Sequence, residues 1–275
     1  MKITLDNTTI VIFYRKDTDK RERNLKLIID YYNKTIKDPK IVVYQEVINP
    51  SETYQPPSDN ITLLTSIGDP EFYNRCLAYN KVINIVNTDV ICFNDVDVII
   101  DCNQLKQAEE YLVSTPHAGI IYPYDGRFLC VDETLTTNYH TSLQNGCSSL
   151  EMLKQYEPTH RYVNASSQHI YVGHNNSHGG VLTARKDTLI NINGFNPLFK
   201  NWGYEDSEIF RRSTILGYKC GRVMTGPCWH FDHTDVNSAK KDNQPYYKSN
   251  EQLSLLIESM NKEELTKYIK SKWTI

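Results

Sequence analysis

Four carboxylates and two imidazoles, set in short motifs far apart in the sequence, are the residues best suited to chemistry. The first motif is Asp95-Val96-Asp97, placed between the apolar runs Val90–Phe93 and Val98–Ile100. Apolar residues on both sides predict a strand buried on both faces with the acids at its exit. Residues two apart in an extended chain point the same way, so the two carboxylates are expected on one face. Such a pair suits a hard divalent cation, provided other ligands complete the shell. An isolated Asp-X-Asp serves equally well as a charged turn, so the assignment depends on what lies downstream.

Two downstream motifs supply what is missing. Trp202-Gly203-Tyr204-Glu205-Asp206 puts two acids at a predicted helix start beside a tryptophan on a glycine. Acids there satisfy helix N-terminal amides, but capping does not call for the Trp-Gly pair. An exposed tryptophan beside two acids is a common way to hold a sugar, with the ring on its apolar face and the acids on its hydroxyls. Further on, His230 and His233 stand three apart in Cys228-Trp229-His230-Phe231-Asp232-His233. With the strand-end aspartates, they make a mixed Asp/His metal site the better reading.

The elements that must position these residues follow from periodicity. Thr9–Tyr14 reads as a buried strand ending at Arg15 and Lys16. A helix is expected from about Thr18 to Lys34, with Leu25, Ile28, Ile29 and Tyr32 inward. Strands at Ile41–Tyr44 and Ile61–Thr65 flank a polar, proline-bearing loop over 49–60. Asp69-Pro70 predicts an N-cap and first helical residue, opening a helix that carries Phe72, Cys76, Tyr79, Ile83 and Val86. The Val90 strand comes next. This order predicts an α/β fold with a mostly parallel, Rossmann-like sheet covered by helices. Ligands bind such sheets at the carboxyl ends of strands, where Arg15 and the two aspartates fall.

Beyond it, a helix over Asp101–Leu112 and a strand over Ala118–Tyr122 are expected. Residues 123–178 are polar and aromatic without sustained period and suit loops and short strands. Order resumes at Gly179–Leu182, with short helices over Lys186–Asn191 and Glu205–Leu216, the latter stopping at Gly217. Residues 235–250 read as a polar loop long enough for a mobile lid. Glu251–Tyr268 reads as one amphipathic helix with Leu253, Leu256, Ile257, Met260, Leu265 and Ile269 inward. No internal repeat or linker divides the chain, which predicts a single domain over 1–275.

Bulk composition excludes several classes. The 275 residues are 40% hydrophobic and 23% charged with a net charge of −3, so no basic excess calls for nucleic acid. No apolar run approaches membrane-spanning length, and the first residues lack a secretory pattern. Seven cysteines without a CxxC pair point to reduced thiols and a cytoplasmic setting.

In order, FYR, YNRC, DVD, HGGV, INGFNP, WGYED and HFDH resemble the inverting glycosyltransferases of the GT-A fold. The likeness is strongest to the animal beta-4-galactosyltransferases and the chondroitin-type bacterial enzymes, and it runs from residue 10 to about 235. The resemblance implies a nucleotide-binding half (1–100), an acceptor and metal half (101–250) and a packed C-terminal helix (251–275). Phe13, Arg15, Asn74, Arg75 and Asp95 would line the nucleotide pocket. Asp97, His230 and His233 would hold Mn2+, with Mg2+ as the alternative. Trp202, Gly203 and Gly180 would contact the sugar, Glu205 the acceptor, and Asp206 would be the catalytic base.

Departures from the family pattern sharpen these expectations. His230 stands where the vertebrate enzymes have methionine, which implies a harder site, less selective for manganese. Tyr204 replaces the second glycine of the tryptophan loop, Phe13 the usual proline, and Asp17 the usual second arginine. Ser177 falls where vertebrate galactosyltransferases carry a tyrosine that crowds the donor's second carbon, so donor identity stays open. The implied activity is metal-dependent inverting transfer from a UDP-sugar to a hydroxyl of a glycan, lipid-linked or glycoprotein acceptor, by a soluble microbial or viral-type enzyme of polysaccharide biosynthesis. Two rivals share the fold. One is a retaining transferase of the polypeptide N-acetylgalactosaminyl type, which carries asparagine where Asp206 stands. The other is an inactive sugar-nucleotide-binding module. A nucleotidyltransferase would need a glycine-rich basic phosphate loop, which the sequence lacks.

Overall fold

The computed structural model describes residues 2–56, 60–155, 178–233 and 246–275, together with the backbone of 170–171. Strands β2 (Thr8–Arg15), β4 (Lys40–Val47), β5 (Ile61–Ile67) and β6 (Val90–Asp95) pair in parallel in the order β6-β2-β4-β5. Ile10, Val11 and Ile12 are all buried, the continuous run expected of a strand covered on both faces. Helix α1 (Asp19–Thr35) connects β2 to β4 through β3 (Ile36–Lys37), which pairs with β1 (Ile3–Thr4) outside the main sheet. Thr18 caps α1, and Leu25, Ile28, Ile29 and Tyr32 are buried as expected. Helix α2 (Arg75–Ile85) precedes β6.

The other half extends the sheet with mixed directions. Strand β11 (Val181–Arg185) lies antiparallel between β6 and β8 (Ala118–Tyr122). Strand β12 (Lys219–Val223) runs parallel to β8, and β10 (Ile170–Tyr171) pairs antiparallel with β12, giving eight strands among the described residues. A second sheet places β13 (Cys228–Phe231) between β7 (Val98–Ile100) and β9 (Phe128–Val131). Its register sets His230 opposite Val98, and the Phe231 N–H donates to the Asp97 carbonyl at 2.8 Å. Backbone pairing alone therefore delivers the histidine motif to the aspartate motif. In the same way the Asp95 N–H donates to the Gly180 carbonyl at 2.7 Å.

Helix α3 (Cys102–Ser114) is capped by Asp101, and α6 (Lys186–Asn191) and α7 (Glu205–Ile215) fall where expected. Three expectations are corrected. Helix α2 begins at Arg75, because Asn74 Oδ1 accepts the Leu77 N–H at 2.9 Å, while Asp69 only closes a local turn at Glu71. The region expected to be loops and short strands contains α4 (Glu133–Gln144) and the short α5 (Glu151–Lys154). The polar composition of α4 hid its buried face of Thr136, Tyr139 and Leu143. The C-terminal segment is two helices, α8 (Tyr247–Glu258) and α9 (Lys262–Lys272), because Asn261 and Glu264 form a capping box that starts a new helix. Leu256 is exposed rather than inward. Of the expected lid, 235–245 lies outside the described residues, and Tyr247–Asn250 already belongs to α8.

Asn80 fastens α2 to the segment before the tryptophan loop. Its buried amide accepts from the Phe195 N–H at 2.7 Å and donates to the Phe195 carbonyl at 2.8 Å. Asn80→Leu should lower the unfolding free energy by roughly 2–5 kcal/mol, since two buried backbone groups lose their partners. Urea denaturation checks this, and a loss under about 1 kcal/mol would show that the pairing contributes little.

Candidate active site

The turn after β6 splits the two aspartates between adjoining clusters. Asn94, fully buried, donates from Nδ2 to the Asp95 carbonyl at 2.7 Å and the Val98 carbonyl at 2.9 Å, and accepts from the Tyr32 hydroxyl. The chain therefore turns at Val96–Asp97 instead of staying extended, and the expected shared face is not formed. Asp95 faces Arg75; Asp97 faces the histidines.

Asp97 is 2% exposed. Its Oδ2 lies 3.0 Å from His233 Nε2, and its Oδ1 lies 3.5 Å from His230 Nε2. One ligand atom from each of the three residues falls within 4.8 Å of the others. Burial opposes the Asp97 charge, but His230, His233 and Arg21 together outweigh it and hold the carboxyl well below its usual range. Burial pushes the His230 pKa down, although Asp97 pulls the other way, which favours the neutral imidazole that a metal requires.

Helix α1 builds the rest of this cluster, and the sequence reading passed it over. Arg21 Nη1 donates to Asp97 Oδ2 at 3.2 Å, and Nη2 lies 2.9 Å from His233 Nδ1. Asp232, next to His233, is clamped by Lys20 on its carboxylate at 2.7 Å and by Asn24 on its carbonyl at 3.2 Å. One clue was available in the sequence. Lys20, Arg21 and Arg23 crowd the first turns of a helix, where the macrodipole disfavours cations, so each needs an acidic partner from elsewhere. The guanidinium on Asp97 is itself a stand-in cation. One carboxylate oxygen and two imidazole nitrogens around it fit a first-row divalent ion such as Mn2+.

The second cluster centres on Arg75. It donates to Asp95, to Glu205 Oε1 at 2.6 Å, and to Asp206 Oδ1 and Oδ2 at 3.1 and 3.0 Å. Glu205 Oε2 also accepts the Gly203 N–H at 2.8 Å, so both oxygens of this expected acceptor-binding acid are engaged. Asp206 is pushed up to about 8, by burial first. Arg75 opposes the rise, but its one charge is divided among three carboxylates, and Glu205 and Asp95 add to the shift.

The remaining predicted residues are more dispersed in role. Phe13 sits among Tyr44, Tyr73 and Tyr79, with ring centroids 6.1–6.5 Å away. Arg15 pairs with Glu46 at 3.0 Å and donates to the Phe72 carbonyl at 2.8 Å. Asn74, besides capping α2, donates to the Pro197 carbonyl at 2.8 Å, so its amide positions Arg75. Gly180 has φ +90, and a Cβ there would lie 2.6 Å from the Phe128 ring. Trp202 is 43% exposed and stacks on Tyr247 at 5.6 Å between centroids. Tyr204 adopts φ +70 where the family pattern has glycine, and its hydroxyl donates to Glu251 at 2.6 Å. Ser177 lies outside the described residues.

Residues 159–234 match the family described as the N-terminal domain of galactosyltransferase. Among solved structures, GalNAc-T7 with UDP, GalNAc and Mn2+ superposes with a TM-score of 0.63 at 11% identity, over 91% of this chain and 48% of that one. A mannosyltransferase from Pyrobaculum calidifontis, PcManGT with GDP-Man and Mn2+, gives 0.55 at 13% identity, over 96% and 68%. The fold is that of the GT-A glycosyltransferases. This GT-A chain thus spans about half the length of GalNAc-T7. No curated protein matches it in sequence. Among its described residues, no helix is long and apolar enough to cross a membrane.

Within the Arg75 cluster, the raised Asp206 value has a consequence for stability. The folded chain keeps that proton up to about pH 8, whereas an unfolded aspartate releases it near pH ~4. Folding therefore takes up a proton between those values, and the stability from this group, complete below about pH 4, is lost as pH rises through about 8. Asp206→Asn removes that dependence. Its Tm relative to wild type should rise between about pH 5 and pH 8 in metal-free buffer. A relative Tm that falls across that range would show the carboxylate charge to be stabilising.

Proposed function

We propose that this chain is a metal-dependent inverting glycosyltransferase that moves a sugar from a UDP-sugar to a hydroxyl of a glycan or glycoconjugate acceptor. The observation that carries the reading is the pair of side-chain clusters that meet at the Asp95–Asp97 turn. One side is a cation site of Asp97, His230 and His233; the other holds Asp206, an acid whose proton affinity suits a base near neutral pH. Both lie at the carboxyl end of β6, where α/β sheets bind ligands. Mn2+ accompanies the nucleotide in both structural neighbours, and the donor set here suits it.

Asp97, His230 and His233 would hold the ion, which supplies neutralisation of the charge growing on the departing diphosphate. Asp206 accepts the proton of the acceptor hydroxyl as that oxygen attacks the anomeric carbon from the face opposite the leaving group. The carbon–oxygen bond to the diphosphate breaks in the same displacement, and no residue becomes glycosylated. Arg75 keeps the Asp206 carboxylate in place through two contacts. Phe13 and the tyrosines around it offer an apolar wall for the base, and Arg15 a cation beside it. Trp202, braced by Tyr247, would cover the sugar's apolar face. UDP as the nucleotide follows from the resemblance at Arg15 and Arg75 and from its presence with GalNAc-T7. The likeness to GalNAc-T7 also favours the second reading, a retaining transferase, in which Asp206 is not a base.

Asp206→Asn keeps the size and most hydrogen bonds of the side chain but cannot take a proton. Acceptor-dependent transfer should fall by roughly 10²–10⁴-fold with UDP affinity nearly unchanged. Normal transfer by this variant would remove Asp206 from the mechanism and leave the retaining reading.

A second expected outcome concerns the cation site. Asp97→Ala and His233→Ala should abolish manganese-dependent release of UDP from UDP-sugars while circular dichroism stays native. Wild-type manganese-stimulated release by either variant would contradict the ligand assignment.

A further inference from the structure

We propose that Arg21 is a displaceable counter-cation of the Asp97–His233 site, which a divalent ion must move in order to bind. The proposal rests on the metal reading above. Arg21 reaches the site from the first turn of α1, with Nη1 on Asp97 Oδ2 at 3.2 Å and Nη2 on His233 Nδ1 at 2.9 Å. Its Nε donates to Asp17 at 3.0 Å, so the guanidinium is fixed at three points.

A guanidinium has five N–H donors, no acceptor, and stays charged at any working pH. It therefore satisfies the lone pairs that a metal needs and offers none in return. Like charges this close in a buried site repel strongly, so ion and guanidinium exclude each other. The contact to His233 adds a second lock. An imidazole that accepts at Nδ1 carries its proton on Nε2, the nitrogen facing Asp97 Oδ2 at 3.0 Å. That tautomer leaves no lone pair at Nε2 for a metal until Arg21 lets go.

Release does not send Arg21 far, because Asp17 still tethers it. A diphosphate bound at the ion gives the freed guanidinium an anionic partner. Metal and nucleotide then bind with positive coupling, each improving the affinity of the other by the same factor. Arg21 carries part of that coupling because its cost of displacement is offset only when the nucleotide is present.

The test is calorimetric titration of the full chain with Mn2+ alone, then with Mn2+ in the presence of UDP. Arg21→Met should bind Mn2+ alone on the order of tenfold more tightly than wild type, and should gain less from UDP. Equal or weaker Mn2+ binding by Arg21→Met overturns the proposal. Asp97→Asn, titrated in parallel, separates this from failure of the metal reading. Wild-type Mn2+ affinity in Asp97→Asn would remove the site itself, whereas its loss leaves the Arg21 result to be read alone. Should Arg21→Met not fold, Arg21→Gln, which keeps a hydrogen-bond donor without the charge, is read in the same way.

Discussion

Arg75 is largely enclosed by three carboxylates from two distant parts of the chain: Asp95 at the end of β6, and Glu205 and Asp206 at the start of α7. One positive charge cannot neutralise three acids in a desolvated cluster, and the imbalance appears as the raised proton affinity of Asp206. Breaking such a cluster by removing its cation is costly, because the acids stay behind uncompensated. The surrounding architecture keeps the cation in place. Asn74 caps the helix that Arg75 begins, Asn201 exchanges hydrogen bonds with the Tyr73 backbone, and Asn80 ties the same helix to Phe195. Three asparagines thus do locally what the sheet does globally: they fix where a charge sits.

The neighbouring Asp97 cluster obeys the same rule with the opposite sign. Asp97 is an acid in a dry turn, and it is held ionised by two imidazoles and Arg21. The two clusters meet at the Asp95–Asp97 turn, shaped by buried Asn94. Asp95 joins this turn to the Arg75 cluster on α2 and α7, and Asp97 joins it to the histidines. The tryptophan loop beside them is different in kind. Asn201, Gly203 and Tyr204 all have positive φ, and the loop is pinned at one end by Tyr73 and at the other by Glu251. Left-handed asparagine and tyrosine cost of order 1–3 kcal/mol each, a strain that the contacts at the two ends of the loop hold in place.

Much of the parallel half was legible because its strands are buried on both faces and read as unbroken apolar runs, Ile10–Ile12 and Val90–Phe93 among them. The candidate ligands were legible by type and spacing, since Asp97, His230 and His233 do converge. What stayed hidden depends on partners far away in the chain. Arg21 and Asn24 look like ordinary helix residues until β13 arrives beside them, and Asn94 looks like a strand terminator until its amide is seen to shape the turn. Helix α4 was missed because threonine and asparagine blur its period, and α2 was started early because Asp69-Pro70 imitates a cap. Glu205, expected to bind the acceptor, has both carboxylate oxygens engaged by Arg75 and the Gly203 amide, partners that its own sequence neighbourhood does not reveal.

The central claim is that Asp206 serves a single displacement at the anomeric carbon, with the ion site stabilising the leaving group. The stereochemistry of the product tests this most directly, because it does not depend on how any variant folds. Proton NMR of the product formed by wild-type protein from an α-linked UDP-sugar, read at the anomeric coupling before equilibration, should show a β linkage. An α-linked product would contradict the account and make Asp206 something other than the base.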